Sequence, residues 1–229
     1  MLKLAVFDLD GTLAALGKPV APEAAALLRR LEDAGVRIAV CSGKPTYYLC
    51  GFMRQMGLKD PILVGENGAV IQFGVELPPR AYRVLPYSQT ARESIRLLRK
   101  ALDAALPELW YQPNEVGLTP FPREPEEFAV IEDCLIQYQD RLADVEIYRH
   151  CDSFDITPTG INKASGLAYL AQWLGITAEE SVAVGDGVND YPMFDWAGQA
   201  LGIRVKDASR VDRDFDTIGE ALEYLLGIR

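Results

Sequence analysis

Residues 2–12 read LKLAVFDLDGT, an apolar run that closes in the acidic turn Asp8-Leu9-Asp10-Gly11-Thr12. The run from Leu2 to Leu9 has the length of a buried β-strand. The turn places the carboxylates of Asp8 and Asp10 at the end of that strand. Ligands of open parallel sheets bind beyond the carboxyl ends of the strands, so this stretch predicts both a sheet and its functional edge.

Further apolar runs follow along the chain, separated by helical patterns. Strands are predicted at Val36–Cys41, Ile62–Val64, Ala69–Phe73, Val182–Val184 and Leu201–Val205, and helices at Pro22–Leu31, Thr46–Met56 and Asn162–Leu174. Apolar strands that alternate with helices indicate a parallel sheet covered on both faces. The predicted fold class is α/β, with a Rossmann-like parallel-sheet core.

The middle of the chain has a different pattern. Amphipathic helices are predicted at Thr90–Leu106 and Glu126–Leu142, and Val116 and Leu118 alternate with polar residues like an exposed strand. Helices with one apolar face and alternating strands are typical of an antiparallel sheet with helices on one side. The predicted organisation is a core of residues 1–78 and 153–229, with Ser153–Thr157 as one of its strands, and an inserted α+β domain of residues 79–152.

The amino-acid composition limits the partners and the location that we expect for the protein. The 229 residues include 33 acidic and 23 basic side chains, which gives a formal net charge of -10. Such acidity repels phosphate backbones and anionic lipid surfaces, so we expect neither nucleic acid nor a membrane as a partner. The first residues are too short and acidic for a signal peptide, and the four cysteines are widely spaced. We therefore expect a cytoplasmic location, while no particular oligomeric state is predicted.

Polar residues follow each predicted core strand. They are Asp8 and Asp10; Ser42, Gly43 and Lys44; Glu66 and Asn67; and Asp186, Asn189 and Asp190. Carboxylates that converge from separate strands repel one another unless a cation lies between them, and oxygen ligands without histidine suit Mg²⁺. The Ser42 hydroxyl, the Gly43 N–H and Lys163 would supply donors and a positive charge for an anion beside that metal.

Four stretches resemble, in order and spacing, the motifs of the haloacid dehalogenase-like (HAD) hydrolase superfamily. They are FDLDGTL at 7–13, CSGK at 41–44, NKASG at 162–166 and GDGVND at 185–190. Two positions depart from the usual pattern, because Ser42 stands where threonine is common and Lys44 where many members carry arginine. The first change keeps a hydroxyl, whereas the second loses the bidentate fork of a guanidinium group.

The insert lies between the second and third of these motifs, which is where the C2-type cap of the Cof-like subgroup, subfamily IIB, is found. The stretches GENGA at 65–69 and DYPMF at 190–194 also resemble that subgroup. The resemblance therefore implies that residues 79–152 form a cap, which would close over the substrate and select it.

The resemblance implies a phosphatase of a small phosphorylated metabolite with Mg²⁺ as cofactor. Asp8 would be the nucleophile that forms an aspartyl-phosphate, and Asp10 the general acid and base. The phosphate would be bound by Ser42, Gly43 and Lys163. The implied metal residues are Asp8, Asp10, Asp186, Asn189 and Asp190, and the candidates for substrate contact are Lys44 and Asn67.

The sequence leaves both the substrate and the type of reaction open. The short cap is similar to those of archaeal-type phosphoglycolate phosphatases and sucrose-phosphatase-like proteins, so we expect phosphoglycolate or a small sugar phosphate. The nearest alternative is a sugar phosphomutase or phosphotransferase, since some similar capped proteins transfer the phosphoryl group within a sugar. A non-catalytic phosphate-binding protein is a further alternative, which the presence of all four residues Asp8, Asp10, Lys163 and Asp186 disfavours.

Overall fold

The computed structural model describes residues 1–228 and divides into two compact units. The first, called the core unit below, contains Met1–Arg83 and the chain from Asn162 onward. The second, called the insert, contains Val84–Ile161. These limits lie a few residues beyond the predicted limits of 79 and 152, because a strand follows Pro79 in the core unit and a hairpin extends past Asp152 in the insert.

The first part of the core unit alternates strands and helices as predicted. Its elements are β1 (Leu4–Phe7), α1 (Pro22–Asp33), β2 (Arg37–Cys41), α2 (Thr46–Arg54), β3 (Ile62–Gly65), β4 (Val70–Phe73) and β5 (Ala81–Val84). β1, β3 and all but the first residue of β2 are buried. Helix α1 begins at Pro22, whose missing N–H costs nothing in a first turn, and buries Leu28 and Leu31.

The second part of the core unit completes the sheet. Its elements are α5 (Lys163–Leu174), β10 (Ser181–Gly185), α6 (Tyr191–Trp196), β11 (Gln199–Ile203), β12 (Arg213–Phe215) and α7 (Ile218–Ile228). The strand order is β12-β11-β10-β1-β2-β3-β4-β5, and the six strands from β12 to β3 are parallel. The predicted α/β class with a parallel-sheet core is confirmed.

The position of the switch in strand order decides where a site can form. From β1 the chain moves outward through β2 and β3, and it later returns to pair β10 with the other side of β1. The loops after β1 and β10 therefore lie side by side at the carboxyl edge. This is the crevice in which open α/β sheets bind their ligands.

The insert has its own apolar core between two helices and two hairpins. Its elements are α3 (Gln89–Ala105), β6 (Trp110–Gln112), β7 (Thr119–Phe121), α4 (Pro125–Tyr138), β8 (Val145–Arg149) and β9 (Phe154–Pro158). Mutual hydrogen bonds of 2.9 Å between Leu118 and Ile156 join the hairpins β6–β7 and β8–β9. Leu98, Leu102 and Ile131 are fully buried in this core.

Several predictions about the insert were wrong. The strand at Ser153–Thr157, predicted for the core, is β9 and pairs antiparallel with β8, because Phe154 and Ile156 alternate with polar residues and pack in the insert. Val116 and Leu118, predicted to lie on an exposed strand, are buried. Helix α4 ends at Tyr138, four residues before the predicted end, and a 3-10 turn at Gln139–Arg141 follows it.

In the core unit, the prediction missed the strands β5 and β12 and the helices α6 and α7.

Among the described residues, no helix combines the length and the hydropathy that crossing a bilayer requires.

Candidate functional site

Two aspartates extend directly from neighbouring parallel strands. Asp8 follows β1 and its N–H donates to the carbonyl of Val184 on β10 at 2.9 Å. Asp186 follows β10 in the same way. The pairing of these two strands therefore brings together carboxylates that are far apart in the sequence.

Lys163 is held beside them by the start of α5. The helix begins with a capping box, in which Asn162 Oδ1 accepts from the Ser165 N–H and Ser165 Oγ accepts from the Asn162 N–H, both at 3.0 Å. Lys163 is the first residue of the helix. A cation at a helix N-terminus opposes the helix dipole, so its placement there requires compensation from nearby anions.

The compensation comes from two buried carboxylates. Lys163 Nζ donates to Asp8 Oδ1 at 2.5 Å and to Asp190 Oδ1 at 2.6 Å. The side chains of all three residues are at most 5% exposed. A buried ion-paired cluster of this kind is costly to desolvate and contributes little to stability on its own. Its presence therefore favours a functional role for these residues.

Asp190 has both carboxylate oxygens engaged by the protein. Oδ1 accepts from Lys163, and Oδ2 accepts from the backbone N–H groups of Asp186 and Gly187 at 2.9 and 3.0 Å. Asp190 thus ties the loop after β10 to the start of α5. These contacts favour an orienting role for Asp190, beside the metal contact that the sequence also predicts for it.

Two residues of the first motif lie against the carboxylate of Asp186, and the predicted site did not include them. Thr12 Oγ1 donates to Asp186 Oδ1 at 2.9 Å. Gly11 has a φ of 97°, and a Cβ at that position would lie 2.2 Å from Asp186 Oδ2. For Gly11 the signal was present in the stretch DLDGT, since a positive φ and a close approach both favour glycine.

Burial and like charges shift the acidity of the cluster. Burial raises the pKa of Asp8 to about 7; Lys163 opposes the increase, whereas Asp190 and Asp186 add to it. Burial also raises the pKa of Asp186, against the hydrogen bond from Thr12. For Lys163, burial lowers the pKa, but the attraction of Asp190 and Asp8 outweighs it and the result lies above the usual value. The lysine therefore remains charged.

The donor set fits a divalent cation. One carboxylate oxygen from each of Asp8, Asp186 and Asp190 lies within 4.8 Å of the other two. Three carboxylates share one ammonium group, which leaves an excess of negative charge; burial first, and the neighbouring carboxylates second, raise the pKa of Asp8 and Asp186. Oxygen ligands of this type are the ones that Mg²⁺ prefers, so the residues present suit that ion.

The predicted phosphate-binding loop follows β2. Ser42 is buried, and its Oγ accepts from the Lys44 N–H at 3.2 Å. Asn67, on the neighbouring loop after β3, donates its N–H to the Ser42 carbonyl at 3.0 Å. The structure thus brings Ser42, Gly43, Lys44 and Asn67 together on adjacent loops of the core unit.

The remaining predicted residues are more accessible. Asp10 and Lys44 are half-buried, and Asn189 is exposed on the 3-10 turn Val188–Asp190. Cys41, which the prediction did not use, lies directly before the phosphate-binding loop, and burial raises the pKa of its thiol to about 12. That thiol remains protonated and is not a nucleophile.

A family model and several curated proteins match most of this chain. A family model described as haloacid dehalogenase-like hydrolase matches residues 5–90 and 125–211. A phosphoglycolate phosphatase of Methanoculleus marisnigri is 29% identical over 213 residues, which cover 91% of this chain and 86% of that protein. An HMP-PP phosphatase of Citrobacter koseri is 27% identical, with coverages of 88% and 84%.

Solved structures share the fold over the whole chain. A haloacid dehalogenase-like hydrolase from Bacteroides thetaiotaomicron superposes with a TM-score of 0.77 at 21% identity, covering 98% of this chain and 100% of that one. A HAD subclass IIB sugar phosphatase superposes with a TM-score of 0.73 at 19% identity, covering 99% and 100%. At these identities the likeness describes the fold and carries no information on substrate.

Proposed function

Because the chain belongs to the haloacid dehalogenase-like hydrolases and is a phosphatase of that family, we propose that it hydrolyses a small phosphate monoester by way of an aspartyl-phosphate on Asp8. The observation that carries this proposal is the buried contact of Lys163 with Asp8 and Asp190 beside Asp186. A carboxylate held by a buried cation at the switch point of the sheet is oriented for attack on phosphorus.

The proposed roles follow from the positions of the groups. Asp8 attacks phosphorus, and the P–O bond to the leaving group breaks as the P–O bond to Asp8 forms. Asp10, two residues along and half-buried, donates a proton to the leaving oxygen and later accepts one from the water that hydrolyses the aspartyl-phosphate. The products are the alcohol and inorganic phosphate.

Charge stabilisation requires several groups that act together. The Lys163 ammonium, the Ser42 hydroxyl and the Gly43 N–H would bind oxygens of the transferred phosphoryl group. Asp8, Asp186 and the backbone carbonyl of Asp10 would hold Mg²⁺, with Asn189 and Asp190 completing or orienting the set. When bound, the ion would offset the repulsion between carboxylate and phosphate and stabilise charge on the transferred group.

We also propose phosphoglycolate or a small sugar phosphate as the substrate class. Support comes from relatives named phosphoglycolate phosphatase that align over most of the chain. Lys44 remains a candidate for substrate contact, whereas the packing of the Asn67 amide against Gly43 favours a positioning role for Asn67 over the predicted substrate contact. The role of the insert as a substrate-selecting cap stays a prediction.

The test compares two aspartate-to-asparagine variants. Purified protein with Mg²⁺ should release phosphate from p-nitrophenyl phosphate, and Asp8→Asn should lower the rate by at least about a thousandfold. Asp33→Asn is the matched control, because Asp33 is exposed and pairs with Lys59 on the surface; its rate should be unchanged. Full activity in Asp8→Asn would contradict the assignment. A strict requirement for a bisphosphate activator would favour a phosphomutase instead.

A further inference from the structure

The turn at residues 65–69, GENGA, has an unusual backbone. Glu66, Asn67 and Gly68 all have positive φ values, of 53°, 54° and 104°. Residues with a Cβ disfavour this region because the Cβ approaches a carbonyl oxygen. Two such residues in succession persist only where the surroundings hold them, and they are concentrated at functional sites.

One side of this turn is bonded to the predicted phosphate-binding loop. The Glu66 N–H donates to the Lys44 carbonyl and the Asn67 N–H to the Ser42 carbonyl, each at 3.0 Å. The preceding Gly65 lies so close that a Cβ there would be 2.8 Å from the backbone nitrogen of Thr46. The turn and the loop therefore pack backbone against backbone.

The side chain of Asn67 extends this contact to Gly43. A Cβ built on Gly43 would lie 3.3 Å from Asn67 Oδ1 and 3.4 Å from Nδ2. The amide thus occupies the space next to the Gly43 backbone. Gly43 is the residue whose N–H is proposed above to bind the phosphoryl group.

The other side of the turn meets the helix that carries the lysine. A Cβ on Gly68 would lie 2.3 Å from the carbonyl oxygen of Asn162, and one on Gly166 would lie 2.5 Å from Gly68 Cα. Asn162 is the cap of α5, and Lys163 is the first residue of that helix. The turn is therefore in direct contact with both structures that present anion-binding groups.

We propose that the turn at 65–69 sets the spacing between the Ser42–Gly43 loop and Lys163, and that Asn67 is a positioning residue that acts through Gly43. This inference rests on the proposed function, since it concerns how the phosphoryl group is held. A shift of the Ser42–Gly43 loop relative to Lys163 weakens transition-state binding even when the loop and the lysine are each intact. The phosphoryl group is common to all substrates, so the effect of Asn67 is independent of the leaving group.

The experiment uses Asn67→Gly, which removes the amide but retains a residue that adopts a positive φ without strain. We expect kcat to fall roughly tenfold for p-nitrophenyl phosphate, acetyl phosphate and phosphoglycolate alike, with a similar rise in the inhibition constant of orthovanadate. Arg204→Gly is the matched control, because Arg204 has a φ of 53° and its N–H donates to the Phe215 carbonyl, in a turn that carries none of the proposed site residues. It should leave both constants unchanged.

Two results would overturn the proposal. A loss confined to one substrate with unchanged orthovanadate inhibition would mean that Asn67 contacts the leaving group. Unchanged kcat and unchanged inhibition would mean that Asn67 positions nothing. Thermal unfolding of both glycine variants verifies that the fold is retained.

A separate measurement distinguishes this proposal from the proposed function. If the wild-type protein turns over none of the esters, the proposed function fails. Calorimetric titration with inorganic phosphate and Mg²⁺ still tests Asn67, since binding requires no turnover. Roughly tenfold weaker binding by Asn67→Gly would support the positioning role, and equal binding would overturn it.

Discussion

Among the described residues, the core unit buries a cluster of paired charges, whereas every ion pair of the insert keeps at least one partner exposed to solvent. The core unit buries Lys163 with Asp8 and Asp190, and each of these side chains is at most 5% exposed. The ion pairs of the insert are more exposed, as in Arg149 with Glu132, whose side chains are 57% and 46% exposed. Burial of an ion pair is costly in free energy, whereas an exposed pair contributes little to stability, so this difference favours the core unit as the place of the proposed chemistry.

The largest effect is expected on removal of the buried cation. Lys163→Met should lower activity by at least about a thousandfold, because it removes an anchor for the phosphoryl group. It should also lower the free energy of unfolding by about 3–5 kcal/mol, since two buried carboxylates lose their partner. Activity assays and urea unfolding without Mg²⁺ measure the two effects. A fully stable, active variant would show that the buried contact has neither role.

A smaller effect is expected from a cavity in the insert. Ile131 is fully buried there, so Ile131→Ala should cost about 2–5 kcal/mol of local stability. Hydrogen exchange should then increase within residues 84–161 and remain unchanged around Asp8. Ile136→Ala on the same helix is the control, because Ile136 is 64% exposed. Equal increases in exchange in both units would show that the two units unfold together.

The composition of each strand decided how much of this arrangement could be predicted from the sequence. Asp8, Asp10, Ser42 and Asp186 could be predicted as site residues because each follows a mainly apolar strand, which is a strong signal. β9 was misassigned because a short strand after Cys151 fits either unit, and only its partner β8 decides. The left-handed turn at Asn67 and the use of both Asp190 oxygens could not be predicted, because they depend on contacts between distant segments.

The raised pKa of Asp8 predicts how pH acts on the core unit. A carboxyl whose pKa rises from 3.8 to about 7 on folding contributes stability below the lower value, and this is lost as pH rises through about 7. Mg²⁺ requires the ionised form, so its affinity should be about tenfold weaker near pH 6 than near pH 8. Melting temperatures with Mg²⁺ and with EDTA at both pH values measure this. Asp8→Asn should reduce the difference, since only Asp186 then contributes a raised pKa, and an equal Mg²⁺ effect at both pH values in the wild-type protein would contradict the assignment.

The smallest effect is expected from an exposed charge of the insert. Glu132→Gln breaks the pair with Arg149 and should change the free energy of unfolding by at most about 1 kcal/mol. Phosphatase activity should be unchanged. Urea unfolding beside Lys163→Met provides the direct contrast, and a loss as large as that of Lys163→Met would remove the distinction between buried and exposed charge.

The proposed mechanism requires that Asp8 carries the phosphoryl group during turnover. Acid quenching of the protein with Mg²⁺ and a phosphate monoester, followed by peptide mass spectrometry, tests it directly. We expect a phosphoryl group on the peptide that contains Asp8, released by hydroxylamine and absent from Asp8→Asn. Phosphorylation of another residue during turnover, or turnover by Asp8→Asn, would contradict it.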